Sequence, residues 1–407
     1  MMAPKCQRIL SWLLLACIVV MTPGCKDLTE VDELNIVMAL GIDETPDHQV
    51  QVTAEIVDPM GARSGPTSGG GSSRQQAVFT RAQTARTVEA AVDKFDENLA
   101  RRLFLPHNTI VVFGRTYAEH GIDRAMDYME RNRSFRRNQL WVVTDGTASE
   151  LLQASGKPES YSAVAIRSLV EQGVQKSVAV NSTQLEVMRQ YLRPSHAPNM
   201  AYLTIADSRL CQCGIGLFDG SQYKDHLKSK DAQALLLFLG RTQQTEVSLP
   251  CASGNSSGTD LQNTFRLLGT KTDVVPVVRG RNVQFSVKVR GRAEIERLCP
   301  GSKTTSETYK KFETELASDM QDRMQSVLVR LQKDDVDSVQ FGTALFENDP
   351  TAWRQLSSQW KQVFPHVQVN YDIQIQLLRN GLASKSPDTD FSPQGLPPHA
   401  GREGVVP

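Results

Sequence analysis

The chain has 407 residues, with 45 Lys plus Arg, 45 Asp plus Glu and seven cysteines. That length accommodates two or three domains, each with its own core. A formal charge of zero gives no sign of a nucleic-acid partner or a strongly charged membrane face, and no nucleic-acid partner is expected.

The chain opens with a short basic segment (Lys5, Arg8) and an apolar run from Ile9 to Met21, followed by Thr22-Pro23-Gly24-Cys25. A positive start, a short apolar core and small residues before a cut read as a secretory signal covering 1–24. The run is too short to cross about 30 Å of hydrocarbon as a stable helix. Cys25 directly after Gly24 suits a bacterial lipoprotein signal, in which the cysteine thiol takes a diacylglyceryl group and the cysteine, N-acylated, becomes the first residue after cleavage. Two acyl chains, at about 0.8 kcal/mol per buried CH₂, anchor a protein stably to a membrane. An ordinary signal peptide with a chance cysteine is the plainer alternative. Removing 1–24 takes Lys5 and Arg8 and no acid, so the mature chain is slightly acidic.

Leu34–Ile42 is almost continuously apolar, which predicts a central strand covered on both faces. After a turn at Asp43–Asp47, Val50–Ile56 alternates as a half-buried hairpin partner. Gly61–Ser73 is rich in glycine and serine and is expected to be a flexible loop, since it lacks the lysine and setting of a phosphate cradle. Val88, Ala91, Val92, Phe95 and Leu99 predict an amphipathic helix over about Thr84–Leu103. Short strands at Thr109–Phe113 and Leu140–Val143 flank a helix over Tyr117–Arg131, and a further helix runs through Leu151 and Leu152. Strands and helices alternating at these lengths predict an α/β domain with a mixed sheet over 25–155.

A middle domain is expected over 156–270. It holds two helical stretches within Tyr161–Arg193, a strand at Met200–Ala206, a hairpin turning at Asp219-Gly220 and a short helix at Lys230–Leu239. Gly214-Ile215-Gly216-Leu217 has its third glycine misplaced for a nucleotide fingerprint, and the hairpin reading is preferred. The last domain, 271–381, opens on Val283, Phe285, Val287 and Val289 alternating with polar residues. A long helix follows a Thr304-x-x-Glu307 capping box, with a core stripe through Phe312, Leu316, Met320, Met324, Val327 and Leu331. Trp353, Leu356 and Trp360 mark a second helix, and Val367–Leu377 closes the domain as a strand. Residues 382–407 read as a disordered tail.

No H-E-x-x-H, G-x-S-x-G or P-loop occurs, and no histidine is singled out beside a cysteine or carboxylate at metal-ligand spacing. No catalytic residue, cofactor or metal site is therefore assigned. The cluster Arg131, Arg133, Arg136 and Arg137 suits an acidic partner or lipid headgroups, but a solvated helix end is the preferred reading. Of the mature cysteines, Cys211 and Cys213 form a C-x-C pair that is weak as a metal site. A disulfide involving Cys251 or Cys299 is compatible with an extracytoplasmic protein, although buried or idle thiols are the expectation for all four.

Several segments together resemble one known family, the Ger(x)C lipoproteins, which are the C subunits of bacterial spore germinant receptors. They are Gly24-Cys25, then Glu33–Val37 running to Gly41-Ile42-Asp43, Ile110–Gly114 with Arg131-Asn132, Gly214–Phe218, and Phe341-Gly342 followed by Pro350-x-x-Trp353, Trp360 and Phe364-Pro365. Lys26 stands where family members commonly carry tryptophan. The resemblance covers about Gly24–Gly381 and implies α+β or mixed α/β architecture in three domains. It also implies a lipid anchor on Cys25 facing outward from the spore inner membrane or cell membrane. The implied partners are two integral membrane subunits, A and B, in a complex that triggers germination in response to nutrients. It implies no enzymatic activity. A lipid-anchored solute-binding protein of a transporter is the alternative, but it requires two similar lobes around a cleft, whereas the segments here are unequal. An envelope hydrolase is a third reading, requiring a convergent carboxylate or Ser/His cluster.

Overall fold

A computed structural model describes residues 33–57, 78–154, 161–251, 262–280, 282–299, 302 and 305–378, with backbone alone at 212 and 213. The expected leader, Cys25, the 61–73 segment, Thr304 and the 382–407 tail lie outside these residues.

Two sheets organise the chain. The larger contains β1 (Leu34–Glu44), β2 (Val50–Val57), β3 (Val78–Ala85), β4 (Arg102–Phe104), β5 (Ile110–Phe113), β6 (Leu140–Thr144), β7 (Asn199–Ala206), β8 (Arg209–Asp219) and β9 (Gln222–Lys228). Its order is β3-β2-β1-β5-β6-β7-β8-β9, with β4 beside the start of β1. The central four strands are parallel, as Ala39 opposite Ile110, Ile110 opposite Leu140 and Val142 opposite Ala201 show. Antiparallel hairpins close both flanks.

The continuous apolar strands are explained by helices on both faces. Successive side chains point to opposite sides of a strand. Leu40, Ile42, Val111, Phe113, Trp141 and Val143 therefore pack under α1 (Val88–Asn98), α2 (Arg115–His120) and α3 (Asp123–Arg131). Ala39, Ile110, Val112, Leu140 and Val142 pack under α4 (Ala148–Gln153) and α5 (Ser162–Gln175). A sixth helix, α6 (Gln184–Leu192), follows α5.

The smaller sheet has the order β10 (Thr245–Pro250), β11 (Gln262–Arg279), β12 (Asn282–Arg297), β13 (Gln368–Leu378). The last pair is parallel, so the chain must cross over between them. It does so through α8 (Ser306–Lys333), α9 (Phe341–Asn348), α10 (Pro350–Leu356) and α11 (Trp360–Val363), while α7 (Ser229–Phe238) connects the two sheets. The expected stripe of α8 is buried from Phe312 to Leu331. It packs on Val283, Phe285, Val287 and Val289 in one core shared with α7. Each such side chain stabilises the fold by about 1.5–3 kcal/mol.

Several expectations are corrected. The helix predicted over Thr84–Leu103 is shorter, because Thr84 and Ala85 end β3 and Leu103 lies in β4. Thr87 caps it, its side chain accepting the Ala90 N–H at 3.2 Å. The helix predicted over Tyr117–Arg131 is two helices broken at Gly121, whose φ of 118° no helix accommodates. Thr305 caps α8, accepting the Thr308 N–H at 3.2 Å. A full capping box occurs at Thr147 and Glu150. The long β11 was not anticipated, since Gly269 and Pro276 interrupt its pattern and its second half alternates between half-buried and exposed. The boundary expected at 155/156 does not divide the larger sheet, because β7 pairs with β6, and that at 270/271 falls inside β11. Cys251 and Cys299 form a disulfide with a Cα–Cα distance of 6.0 Å, in place of the expected thiols. The strands β10 and β11 and β12 bring together two residues 48 apart in sequence.

Candidate functional site

Three buried carboxylates hold helices in place, two of them on the larger sheet and the third against a neighbouring helix. Asp43, at the end of β1, accepts the Ala148 N–H at 2.7 Å and the Ser149 N–H at 2.9 Å, tying the start of α4 to the sheet. Gly114 is required alongside, since a Cβ there would collide with the Asp43 carboxylate. Glu55 on β2 does the same for α5, accepting from Ser162 at 2.7 Å and Ala163 at 2.9 Å. Burial pushes both carboxyls above their ordinary range, and the amide donors pull back against it. The resemblance segments Gly41-Ile42-Asp43 and Phe113-Gly114 are thus parts of one helix attachment.

The third carboxylate is Asp337, between α8 and α9. It accepts Phe341 N–H at 2.8 Å, Gly342 N–H at 2.7 Å and the Trp360 indole N–H at 3.0 Å. Burial raises its pKa to about 6, against the pull of these donors. Gly342 is closed to any side chain, since a Cβ would stand 2.9 Å from Trp360 Nε1. The spacing of Phe341-Gly342 and Trp360 is therefore one hydrogen-bonded knot. It lies against the segment that leads into β7 of the larger sheet. Thr343 N–H donates to Ser195 Oγ at 2.9 Å, Asn199 Nδ2 to the Ser338 carbonyl at 3.1 Å and Gln340 Nε2 to the Ala197 carbonyl at 2.8 Å. Lys361 pairs with Asp219 at 2.7 Å on the hairpin turn, and Arg330 of α8 pairs with Asp225 of β9 and, at 3.4 Å, with Asp231.

A different cluster gathers at the carboxyl end of β1. Glu44 Oε1 lies 2.6 Å from His48 Nδ1, and Oε2 lies 2.5 Å from His120 Nδ1. Among the described residues these three form a group able to hold a metal, with their donor atoms all within 4.8 Å of one another. Sequence reading missed it. His48 lies four residues from Glu44 in a turn rather than on a helix, and His120 arrives from 76 residues away.

Other residues singled out by sequence stay apart from both places. Arg131 pairs with Asp127 at 2.8 Å and Arg137 with Glu130 at 2.7 Å, on the solvated end of α3. Gly214 and Gly216 lie within β8, facing no helix start, so the hairpin reading holds. Cys211 lies half-buried on the same strand.

Comparison with known proteins accounts for nearly the whole chain. Residues 27–205 match the family model "Spore germination protein N-terminal domain", and residues 213–381 match "Spore germination B3/GerAC like, C-terminal". Spore germination protein KC of Bacillus subtilis is 23% identical over 406 residues, covering 94% of this chain and 97% of that protein. Spore germination protein B3 of the same organism is 19% identical over 371 residues, covering 89% and 95%. The crystal structure of the GerBC protein shares the fold with a TM-score of 0.56 at 15% identity, covering 84% of this chain and 97% of that one. The two sheets and their helical layers are the architecture that these matched segments build, and the chain belongs to the GerAC-like family of spore germination proteins.

Proposed function

We propose that this chain is the lipid-anchored, non-catalytic C subunit of a spore germinant receptor, held to the outer face of the spore inner membrane through acylated Cys25. The observation that carries the reading is the pair of family matches, 27–205 and 213–381, beginning two residues after Cys25 and running through both sheets. In this reading the polypeptide works by contact. Two integral membrane subunits, A and B, are its partners, and the rigid body formed by the sheets and the Asp337 knot presents fixed surfaces to them.

The test is to tag the full chain, purify it from spore inner membranes in mild detergent and identify what accompanies it. Two polytopic membrane proteins in comparable amounts support the proposal. A transporter permease with an ATPase in their place, or absence of the chain from spores, overturns it. Mass spectrometry of the mature chain should find Cys25 as its first residue carrying a diacylglyceryl group, and an unmodified Cys25 would refute the anchor.

A further inference from the structure

We propose that Glu44, His48 and His120 form a binding site for a divalent transition metal of the zinc class. Two imidazoles and one carboxylate are the donor set that such ions select, and three protein ligands leave a fourth position for water. The residues come from three segments: Glu44 ends β1, His48 lies in the turn before β2, and His120 ends α2. Their convergence is organised by the backbone. His48 holds a φ of 55°, and its N–H bonds the Thr45 carbonyl at 2.9 Å while the Thr45 N–H bonds the Gln49 carbonyl at 2.8 Å. Gly121, with φ 118°, stops α2 directly after His120.

Exposure is graded as a site open to solvent requires. The Glu44 side chain is 11% exposed, whereas His48 and His120 are 80% and 59% exposed. Among the described residues, the polar side-chain partners of Glu44 are these two rings, one on each oxygen. A bare surface pair of this kind contributes little stability, so fixing both oxygens on imidazoles from separate segments is poorly explained by ion pairing alone. The site also lies beyond the carboxyl end of a central parallel strand, where open α/β sheets carry their ligands. A metal bound through both Nδ1 atoms replaces the two hydrogen bonds. Neutral rings then carry their proton on Nε2, and protonated rings release one. The ion would staple the β1–β2 turn to the end of α2.

The experiment is zinc titration of the full-length protein in detergent at neutral pH, by equilibrium dialysis, with Co²⁺ as a spectroscopic substitute. One saturable zinc per chain is expected, together with the intense visible absorption of four-coordinate Co²⁺. His48→Asn and His120→Gln should each weaken zinc binding by roughly 100-fold or more, beyond the 10–100-fold that losing a supporting hydrogen bond costs. Absence of saturable binding, a six-coordinate Co²⁺ spectrum, or undiminished binding by the His48→Asn/His120→Gln double variant would each overturn the proposal. The Co²⁺ spectrum of the unaltered chain keeps the test decisive should a variant fold poorly.

Discussion

Replacing Asp337 by alanine strips the acceptor from three donors at once: the Phe341 and Gly342 amides and the Trp360 indole. A buried donor left without a partner costs about 1–3 kcal/mol, so three set a range of about 3–9 kcal/mol. The deleted carboxylate is itself buried, at 5% exposure, and losing its desolvation cost offsets part of that loss. The expected destabilisation is about 3 kcal/mol, read as a lower urea midpoint by fluorescence of Trp353 and Trp360, whose rings lie 5.5 Å apart. The pH dependence provides a second reading. With a folded pKa of about 6 against 3.8, the native state binds more protons than the unfolded state in that interval. Stability from this group is therefore greatest below the lower value and is lost as pH rises through about 6. Two units at 1.36 kcal/mol each amount to about 3 kcal/mol. Asp43 and Glu55 are raised as well and add slope of the same sign, so the difference between wild type and Asp337→Asn isolates Asp337. An alanine variant within about 0.5 kcal/mol of wild type, a surface-like effect, would refute the account of the knot.

Gly342→Ala places a Cβ 2.9 Å from Trp360 Nε1 and 3.2 Å from Asp337 Oδ2, and should cost about 1–3 kcal/mol in the same unfolding assay. Reducing the Cys251–Cys299 disulfide, which closes 48 residues, should cost about 4 kcal/mol on chain-entropy grounds, measured as urea midpoints with and without reductant. An equal midpoint in both conditions would remove the bond from the stability of the smaller sheet. Arg330→Ala should cost only about 1 kcal/mol, because the guanidinium side chain is 38% exposed and solvent screens its pairs with Asp225 and Asp231. A double-mutant cycle with Asp225→Ala measures that coupling directly.

Period and run length determined much of this protein. Continuous apolar runs at β1, β5 and β6 announced strands covered on both faces, because only such strands can be apolar at every position. The α8 stripe announced a helix packed on a sheet, because its step of three and four keeps one face inward. The segments that carry the family resemblance were legible for the same local reason, as short strings with fixed neighbours.

What those strings do was decided only in three dimensions. Asp43 reads as a turn residue, yet its partners are amides 105 and 106 residues away. Phe341-Gly342 and Trp360 read as hydrophobic landmarks until Asp337 joins them. The Cys251–Cys299 bond, the single larger sheet built from two expected domains, and the meeting of Glu44 with His120 likewise depend on which strands pair. Pairing is set by non-local burial and register, which leave almost no trace in a residue's immediate neighbours. Sequence alone thus determined the class of the elements and the family of the chain, while tertiary structure decided which distant polar atoms meet, because each bond joins groups that local pattern treats as independent.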